Sequence, residues 1–204
     1  PEDVVCAKEM LSEIESGQHG NLRPGLYDRQ SQWKDPDFPP SSQSVGHCAG
    51  ASMVKSWATS AQFNRDARLF KGGTDPDDVY QGVLHDGWLL SAIQILSASG
   101  GVDDDDVDPL IANLFVQTES GAVGAHAVRL FKNGQWEYVI VDDFFPRLDG
   151  TYNSTKCAGA AFAYSADMEE TWVPILEKAF AKYYGSYAAL EHGYTHLALQ
   201  DLTG

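Results

Sequence analysis

The sequence predicts an α+β fold in which a buried helix, a β-hairpin and an amphipathic helix share one core. The run from Trp88 to Leu96 is apolar nearly all round, and Asn133-Gly134 separates two β-prone runs. Apolar residues from Trp172 to Tyr183 recur at three- and four-residue spacing. With 204 residues, 43% of them hydrophobic, the chain has enough length for one sizeable core but not for two complete domains.

Residues 1–32 are predicted to be an N-terminal extension, and residues 33–204 the core. A short helix is expected from Val4 to Ile14, before glycines and a proline interrupt the pattern at residues 17–25. The stretch 33–45 carries three prolines and no periodicity. It is therefore expected to run as packed coil, with Trp33 and Phe38 as its anchors.

Two helices are predicted in the middle of the chain. The first follows Asp86 as N-cap, spans Trp88 to Leu96 and ends before Gly100-Gly101, so it belongs in the core. The second begins at Asp108-Pro109, because proline is favoured at the first helical position. Its apolar side is formed by Leu110, Ile111, Leu114 and Phe115.

A hairpin is predicted from the runs Ala127–Phe131 and Trp136–Val141, because Asn-Gly is the strongest short hairpin signal. The second strand runs into Asp142-Asp143, whose carboxylates are expected to accept hydrogen bonds from loop N–H groups. Another turn is predicted at Asp149-Gly150.

The last predicted helix ends at Gly185, and Pro174 limits where it can begin. A start near Glu170 or Thr171 leaves Pro174 in the tolerated first turn. Glu170 would then lie at the mouth of this helix, which is expected to pack beside the hairpin.

Charge narrows the classes of function. The chain has 14 Lys and Arg against 29 Asp and Glu, a net charge of −15 that repels phosphate backbones and anionic lipid headgroups. Nucleic-acid binding and membrane insertion are therefore not expected. Metal cations and basic protein partners are favoured.

The three cysteines, Cys6, Cys48 and Cys157, are widely spaced and form no CxxC pair, so no disulfide scaffold is expected. No apolar run approaches the ~18 residues needed to span a bilayer. A cytoplasmic location is the default expectation. Because residue 1 is Pro, the sequence is interpreted as a segment of a longer chain.

Four separated stretches together resemble the calpain family of cysteine proteases. They are DPDFPPSSQSV at 35–45, KGG through DDVYQGVLHDGWLLSAI at 71–93, NGQWEYVIVDDFFPRLDG at 133–150 and ETWVPILEKAFAKYYGSYAAL at 170–190. The resemblance covers residues 26–204 and implies the first, cysteine-bearing subdomain of a papain-like core. The second subdomain, which bears His and Asn in that family, is therefore expected to be missing from residues 1–204.

The resemblance also implies that no catalytic residue set is intact. The family's motif Gln-Gly-x-Leu-Gly-Asp-Cys-Trp is similar to QGVLHDGW at 81–88, so Gly87 occupies the position of the nucleophilic cysteine. Glycine has no atom that can attack a peptide carbonyl. Gln81 matches the family's oxyanion-hole glutamine and Trp88 the tryptophan beside the nucleophile. Without a nucleophile, Gln81 is expected to be a hydrogen-bonded turn residue and Trp88 a core residue.

Three further sites are candidates to replace the nucleophile or its base. Ser91 lies one helical turn further on, Cys48 adjoins His47, and His126 precedes a predicted strand. A hydroxyl in an apolar helix is more often a satisfied core group, and adjacent side chains point in different directions. None of these residues is therefore expected to replace the cysteine.

A calcium site is a further implication of the resemblance. Carried over by position, its side-chain ligands are Asp78 and Glu170, with backbone carbonyls from Lys71 and Gly73. Calcium requires six to eight oxygen ligands, which these groups and water can supply. Alternatively, Asp78 caps a turn and Glu170 offsets a helix dipole. The acidic run 103–106 lacks the spacing of a calcium loop and is interpreted as a solvated loop.

The leading expectation is a non-catalytic calpain-like domain, a pseudoenzyme that acts as a structural scaffold or protein-interaction module in a larger protein. By analogy with degenerate relatives, a cytoskeletal, ciliary or flagellar assembly is its expected setting. One alternative is a calcium-dependent cysteine endopeptidase whose missing parts are supplied elsewhere. Another is a calcium-responsive binding module.

Overall fold

The computed structural model describes residues 2–16, 32–48, 50–98, 109–116, 124–148 and 159–204. The α+β prediction is confirmed. The α-helices are α1 (Glu2–Ser16), α2 (Ser42–Val45), α3 (Ser60–Phe63), α4 (Gly87–Ser97), α5 (Pro109–Ala112), α6 (Trp172–Tyr184) and α7 (Thr195–Thr203). Short 3-10 helices occupy Ala51–Met53, Pro76–Asp78 and Tyr187–Leu190. The strands are β1 (Val54–Thr59), β2 (Val79–Tyr80), β3 (Ala125–Lys132), β4 (Gln135–Asp142), β5 (Phe144–Leu148) and β6 (Tyr164–Ser165).

The strands of the described residues pair as three antiparallel two-stranded sheets. β1 pairs with β5, β2 with β6, and β3 with β4. The β1–β5 and β2–β6 pairs join segments far apart in sequence. No local turn signal in the sequence marks such pairs, so the sequence does not predict them.

The hairpin prediction is confirmed. β3 and β4 pair from Ala125 opposite Asp142 to Lys132 opposite Gln135. The two turn residues have positive φ, 53° at Asn133 and 82° at Gly134, as a type I′ turn requires.

Helix α4 forms the centre of the main core, as its composition predicts. Leu89, Ala92 and Ile93 are fully buried, whereas Ile95 is 49% exposed and marks its outer side. Asp86 occupies the N-cap position, but its side chain makes no capping hydrogen bond. The Asp86 carboxyl instead accepts a hydrogen bond from Gln81 Nε2 at 3.4 Å.

Helix α6 begins and ends where the sequence indicates. Its N-cap residue is Thr171, Pro174 lies in the first turn, and Gly185 ends it in the left-handed conformation with φ of 97°. It packs on β4. One contact beneath it was missed: Lys178, fully buried, forms an ion pair with Asp142.

The prediction for Asp142 is confirmed, because its carboxylate accepts hydrogen bonds from the backbone N–H groups of Asp35 at 2.7 Å and Phe144 at 3.0 Å. Asp143 instead accepts a hydrogen bond from the Ser60 hydroxyl.

Trp33 and Phe38 are buried, as expected of anchors. The stretch 33–45 is not coil throughout, since Ser41 accepts a hydrogen bond from Gln43 N and caps α2.

The helix predicted after Asp108 is shorter than expected. α5 ends at Ala112, and the following residues bridge to β3 instead, with Val116 N donating to Ala127 O and Arg129 N to Leu114 O. Strand pairing therefore overrides the helical pattern. The predictions made for Gly100-Gly101, Asp108, the acidic run 103–106, Asp149-Gly150 and Cys157 lie outside the described residues.

Helix α1 extends the predicted N-terminal helix by about one half-turn at each end. Leu11 and Ile14 form a second, smaller apolar cluster with Trp33, Ala127 and Ile140. The N-terminal helix is therefore packed on the outer face of the hairpin.

Cys6 and Cys48 are free thiols. Among the helices of the described residues, none has the length and apolar character that a membrane crossing requires.

Candidate functional site: the turn before helix α4

The turn of residues 81–86 leads from β2 into α4 and is held against the segment before β6. Val83 N donates to Ala161 O at 2.8 Å. At Gly82 the two backbones touch, because a Cβ there would lie 2.3 Å from Ala161 O and 2.4 Å from Phe162 O. Only glycine fits at this position.

The Gln81 side chain is hydrogen-bonded within its own turn. Its Nε2 donates to Leu84 O at 2.7 Å and to the Asp86 carboxylate at 3.4 Å. These are the contacts of a turn residue. Its role in an oxyanion hole stays a prediction.

Gly87 is the first residue of α4 and leaves an open space. We leave aside the residues on either side of Gly87 and the backbone of α4 itself. A Cβ built on Gly87 would then have two atoms within 4 Å, the Gln81 amide nitrogen and oxygen, each at 3.8 Å. The φ of Gly87 is not in the left-handed region. Neither space nor backbone conformation therefore requires glycine here, and the Ser91 hydroxyl does not reach this point.

Trp88 ties α4 to the C-terminal part of the chain. Its Nε1 donates to Leu190 O at 2.6 Å. Its ring packs on Gly193, where a Cβ would lie 2.3 Å from ring atom Cε2. Trp88 is half-buried, so it is a packing residue at the edge of the core.

Asp86, which precedes Gly87 in the chain, and Glu177 of α6 form a buried carboxyl pair that sequence reasoning missed. Both are at most 1% exposed, and Ala163 N donates to the two oxygens of Glu177 at 3.0 and 3.1 Å. Burial raises the pKa of Asp86 to about 6. Burial, and then the charge of Asp86, raise the pKa of Glu177 well above its usual value. The signal for this pair was an acidic residue within the apolar pattern of α6.

The other candidate groups have unreactive surroundings. Burial, followed by the charge of Glu191, raises the pKa of the Cys48 thiol, which disfavours the thiolate. His126 is buried, and burial together with Lys178 lowers its pKa to about 4. It is therefore neutral at physiological pH.

The predicted calcium ligands come from two loops, residues 71–78 and the residues around Glu170, which are joined by a hydrogen bond. Lys71 N donates to Glu170 Oε1 at 2.7 Å, and Trp172 Nε1 donates to Glu170 Oε2 at 3.4 Å. The Glu170 pKa is raised to about 7, first by burial and then by the charges of Asp78 and Asp167. The Glu170 and Asp78 carboxyls are therefore close enough to interact.

Asp78 also makes the turn contacts of the alternative interpretation. Asp75 N donates to Asp78 Oδ2 at 2.8 Å, which closes a capping box on the 3-10 helix Pro76–Asp78. Gly72 and Gly73 have φ of 74° and 94°, so the preceding loop folds tightly. In the described part of the chain, no three His, Cys, Asp or Glu side chains are grouped to hold a metal.

Residues 33–204 match the family model described as the calpain family cysteine protease. The chain belongs to the calpain family. It is 31% identical over 198 residues to a calpain of Schistosoma mansoni, and 33% identical over 184 residues to the calpain-type cysteine protease DEK1 of Arabidopsis thaliana. It is 30% identical over 216 aligned positions to the human calpain-1 catalytic subunit.

These alignments cover most of this calpain-family chain and little of its relatives. They include 96%, 85% and 97% of the chain, but 24%, 8% and 28% of the three relatives in the same order. The chain thus spans about a quarter or less of the length of these relatives.

Proposed function

We propose that this chain is a non-catalytic calpain-family domain that serves as a structural scaffold or protein-interaction module. The observation that carries the proposal is Gly87 at the start of α4. Apart from its neighbours in the chain, no described residue places a thiol or hydroxyl within 4 Å of the position that a Cβ of Gly87 would take. A cysteine protease needs a thiolate at this point, because the thiolate forms the acyl intermediate. The turn is otherwise packed and hydrogen-bonded, which suits a domain that keeps its shape without the reaction.

An active-site probe tests the loss of catalysis. The whole protein that contains this chain would be treated with a leucyl epoxysuccinyl peptide in calcium, and modified residues would be mapped by mass spectrometry. We expect Cys6 and Cys48 to react no faster than glutathione. Rapid, stoichiometric modification of any cysteine would instead support the alternative of an endopeptidase completed by other segments.

The interactions of Glu170 favour a second function, a calcium-responsive binding module. Glu170 is 4% exposed and has acidic neighbours but no basic partner for its carboxylate among the described residues. A bound cation would offset this crowding of negative charge. Asp78 and Glu170 would hold the ion through their carboxylates, and Lys71 and Gly73 through their carbonyls. Calcium would supply positive charge that couples the two loops.

Calorimetric titration of calcium tests this second function. We expect binding in the micromolar to millimolar range that is lost in Glu170→Gln and in Asp78→Asn. Asp66→Asn is the matched control, because it removes one exposed acidic charge from a residue that is not among the predicted ligands. Equal binding by all four proteins, or none by the native chain, would exclude the calcium module.

A cytoskeletal, ciliary or flagellar setting remains part of the proposal. Its support is analogy with degenerate relatives, together with the proposed loss of the nucleophile. Localisation of the tagged protein in its source cells would test it, and a diffuse distribution would count against it.

A further inference from the structure

Strand β4 has an open edge. On the other side of the hairpin, Ala127 O accepts from Val116 N and Arg129 N donates to Leu114 O. The backbone groups of Ala127 and Arg129 therefore point away from β4. Since backbone direction alternates along a strand, residues 126, 128 and 130 pair with β4. Their partners are Val141, Val139 and Glu137, which leaves Trp136, Tyr138 and Ile140 directed outward.

The contacts of Ile140 agree with this assignment. Its carbonyl accepts a hydrogen bond from Lys182 Nζ at 2.7 Å, so it points towards α6 and not towards β3. The outward N–H and C=O groups of Trp136 and Tyr138 have no hydrogen-bonding partner among the described residues. Natural sheets usually protect such an edge with proline, lysine or a bulge. Residues 136–140 contain neither proline nor lysine, and their pairing shows no bulge.

The open edge lies in a groove of about 570 Å³. The groove is lined by β4 residues 135–140, by one face of α1, by Asp37, and by Lys182 and Tyr183 of α6. Neighbouring strands lie about 4.8 Å apart, so a groove beside a strand edge is where an added extended segment would lie. Tyr138 and Tyr183 provide aromatic surface along it.

The charge of the groove is negative. Lys182 Nζ is already paired with Asp35 Oδ2 at 2.7 Å, which offsets its charge. The carboxylates of Asp37 and Glu137 line the groove, and among the described residues neither forms an ion pair or accepts a hydrogen bond. The chain as a whole carries −15. An extended segment bearing arginine or lysine complements both the acids and the aromatic rings.

We propose that the outer edge of β4 binds an extended basic segment of a partner protein by strand addition. The main-chain groups of Trp136 and Tyr138 supply the hydrogen bonds, and Glu137 and Asp37 select for positive charge. The inference takes from the proposed function only that the partner is a protein. It stands or falls independently of whether the full protein hydrolyses peptides.

The test uses a blocked nonapeptide of alternating arginine and threonine, titrated into the native chain by calorimetry. Its controls are the same peptide with N-methyl groups on alternate residues, and one with glutamate in place of arginine. We expect binding of the first peptide, and binding at least about tenfold weaker by each control. Hydrogen exchange of the Tyr138 amide should slow by about tenfold or more when the first peptide is bound.

Variants of the chain locate the contact. Tyr138→Pro removes the outward N–H without removing a bond to β3, and Tyr138→Thr removes the ring but keeps the N–H. We expect Tyr138→Pro to weaken binding more than Tyr138→Thr, and Glu137→Gln to weaken it while Asp66→Asn does not. Circular dichroism would verify that each variant is folded.

Several results would overturn the proposal. Equal binding of the N-methylated peptide would show that charge alone attracts it. Displacement of the first peptide by spermine, with no change in hydrogen exchange at the Tyr138 amide, would show the same. Absence of binding would also refute it. A concentration-dependent dimer that Tyr138→Pro abolishes would assign the edge to a second copy of the chain instead.

Discussion

Gly82, in the turn before α4, and Gly87, the first residue of α4, differ in the room that the structure leaves for a side chain. A Cβ at Gly82 would lie 2.3 Å from the carbonyl oxygen of Ala161, a distance that real structures do not contain. A Cβ at Gly87 would lie 3.8 Å from its nearest neighbours, the Gln81 amide atoms, at ordinary contact distance. These two glycines are five positions apart in the sequence, and packing requires Gly82 but does not require Gly87.

Of these two glycines, Gly82 concerns the packing of the site and Gly87 concerns its chemistry. Gly82 holds the turn against the segment before β6, so its loss would disturb the fold. Gly87 stands where the resemblance to calpains implies a cysteine, and the space for that side chain is still present. Under the proposed function, Gly87 supplies no reactive group, although the packing around it would accept a side chain.

The largest expected effect is that of Gly82→Ala. The added methyl group would contact two backbone carbonyls that cannot move as a flexible side chain does. We expect a loss of about 2 kcal/mol or more in the free energy of unfolding, measured by urea denaturation. A loss below about 0.5 kcal/mol would show that the turn is free to shift, and the contrast with Gly87 would fail.

A smaller effect is expected at the buried carboxyl pair formed by Asp86 and Glu177. The pKa values of Asp86 and Glu177 are raised on folding, so the folded chain holds protons that the unfolded chain releases. Their contribution to stability is therefore present below about pH 4 and is lost as pH rises through about 6 and beyond. In Glu177→Gln one acid is replaced by an amide that can donate to Asp86.

We accordingly expect Glu177→Gln to gain about 1–3 kcal/mol relative to the native chain between pH 4 and pH 8. Denaturation of both proteins at several pH values measures this difference. Asp143 and His126 also have shifted pKa values, but they are present in both proteins, so their effects on stability cancel in the difference. A difference independent of pH would mean that folding does not raise the pKa values of these two carboxyls.

The smallest effect is expected for Gly87→Cys. Its φ and the surrounding space accept a side chain, so the free energy of unfolding should change by no more than about 0.5 kcal/mol. Gly87→Ala should behave in the same way. Destabilisation as large as that of Gly82→Ala would mean that glycine at 87 is a structural requirement, which contradicts our interpretation.

Local signals explain what the sequence could predict. Asn133-Gly134 specifies the hairpin because both residues take positive φ, and Pro174 and Gly185 bound α6 because each has a restricted role at a helix end. Pairings that lack a local signal were missed. The bridge of Phe115 to Val128 ended α5 early, and the pairing of Trp57 with Pro146 joins distant segments.

The candidate site divides in the same way. Gly87, Gln81 and Trp88 were found from a contiguous motif and lie together in the structure. Glu177 comes from a helix about 90 positions later, and only folding brings it beneath Asp86. The outward direction of Tyr138 likewise depends on the bridge to residues 114–116, which no pattern in the sequence indicates.

Hydrolysis of casein by the whole protein that contains this chain, with and without calcium, tests the central claim most directly. The account predicts no calcium-dependent cleavage above that of a heat-denatured sample. Calcium-dependent cleavage that is blocked by a thiol reagent and abolished by Gln81→Ala would contradict it, because a working oxyanion hole at this turn implies a nucleophile supplied from elsewhere.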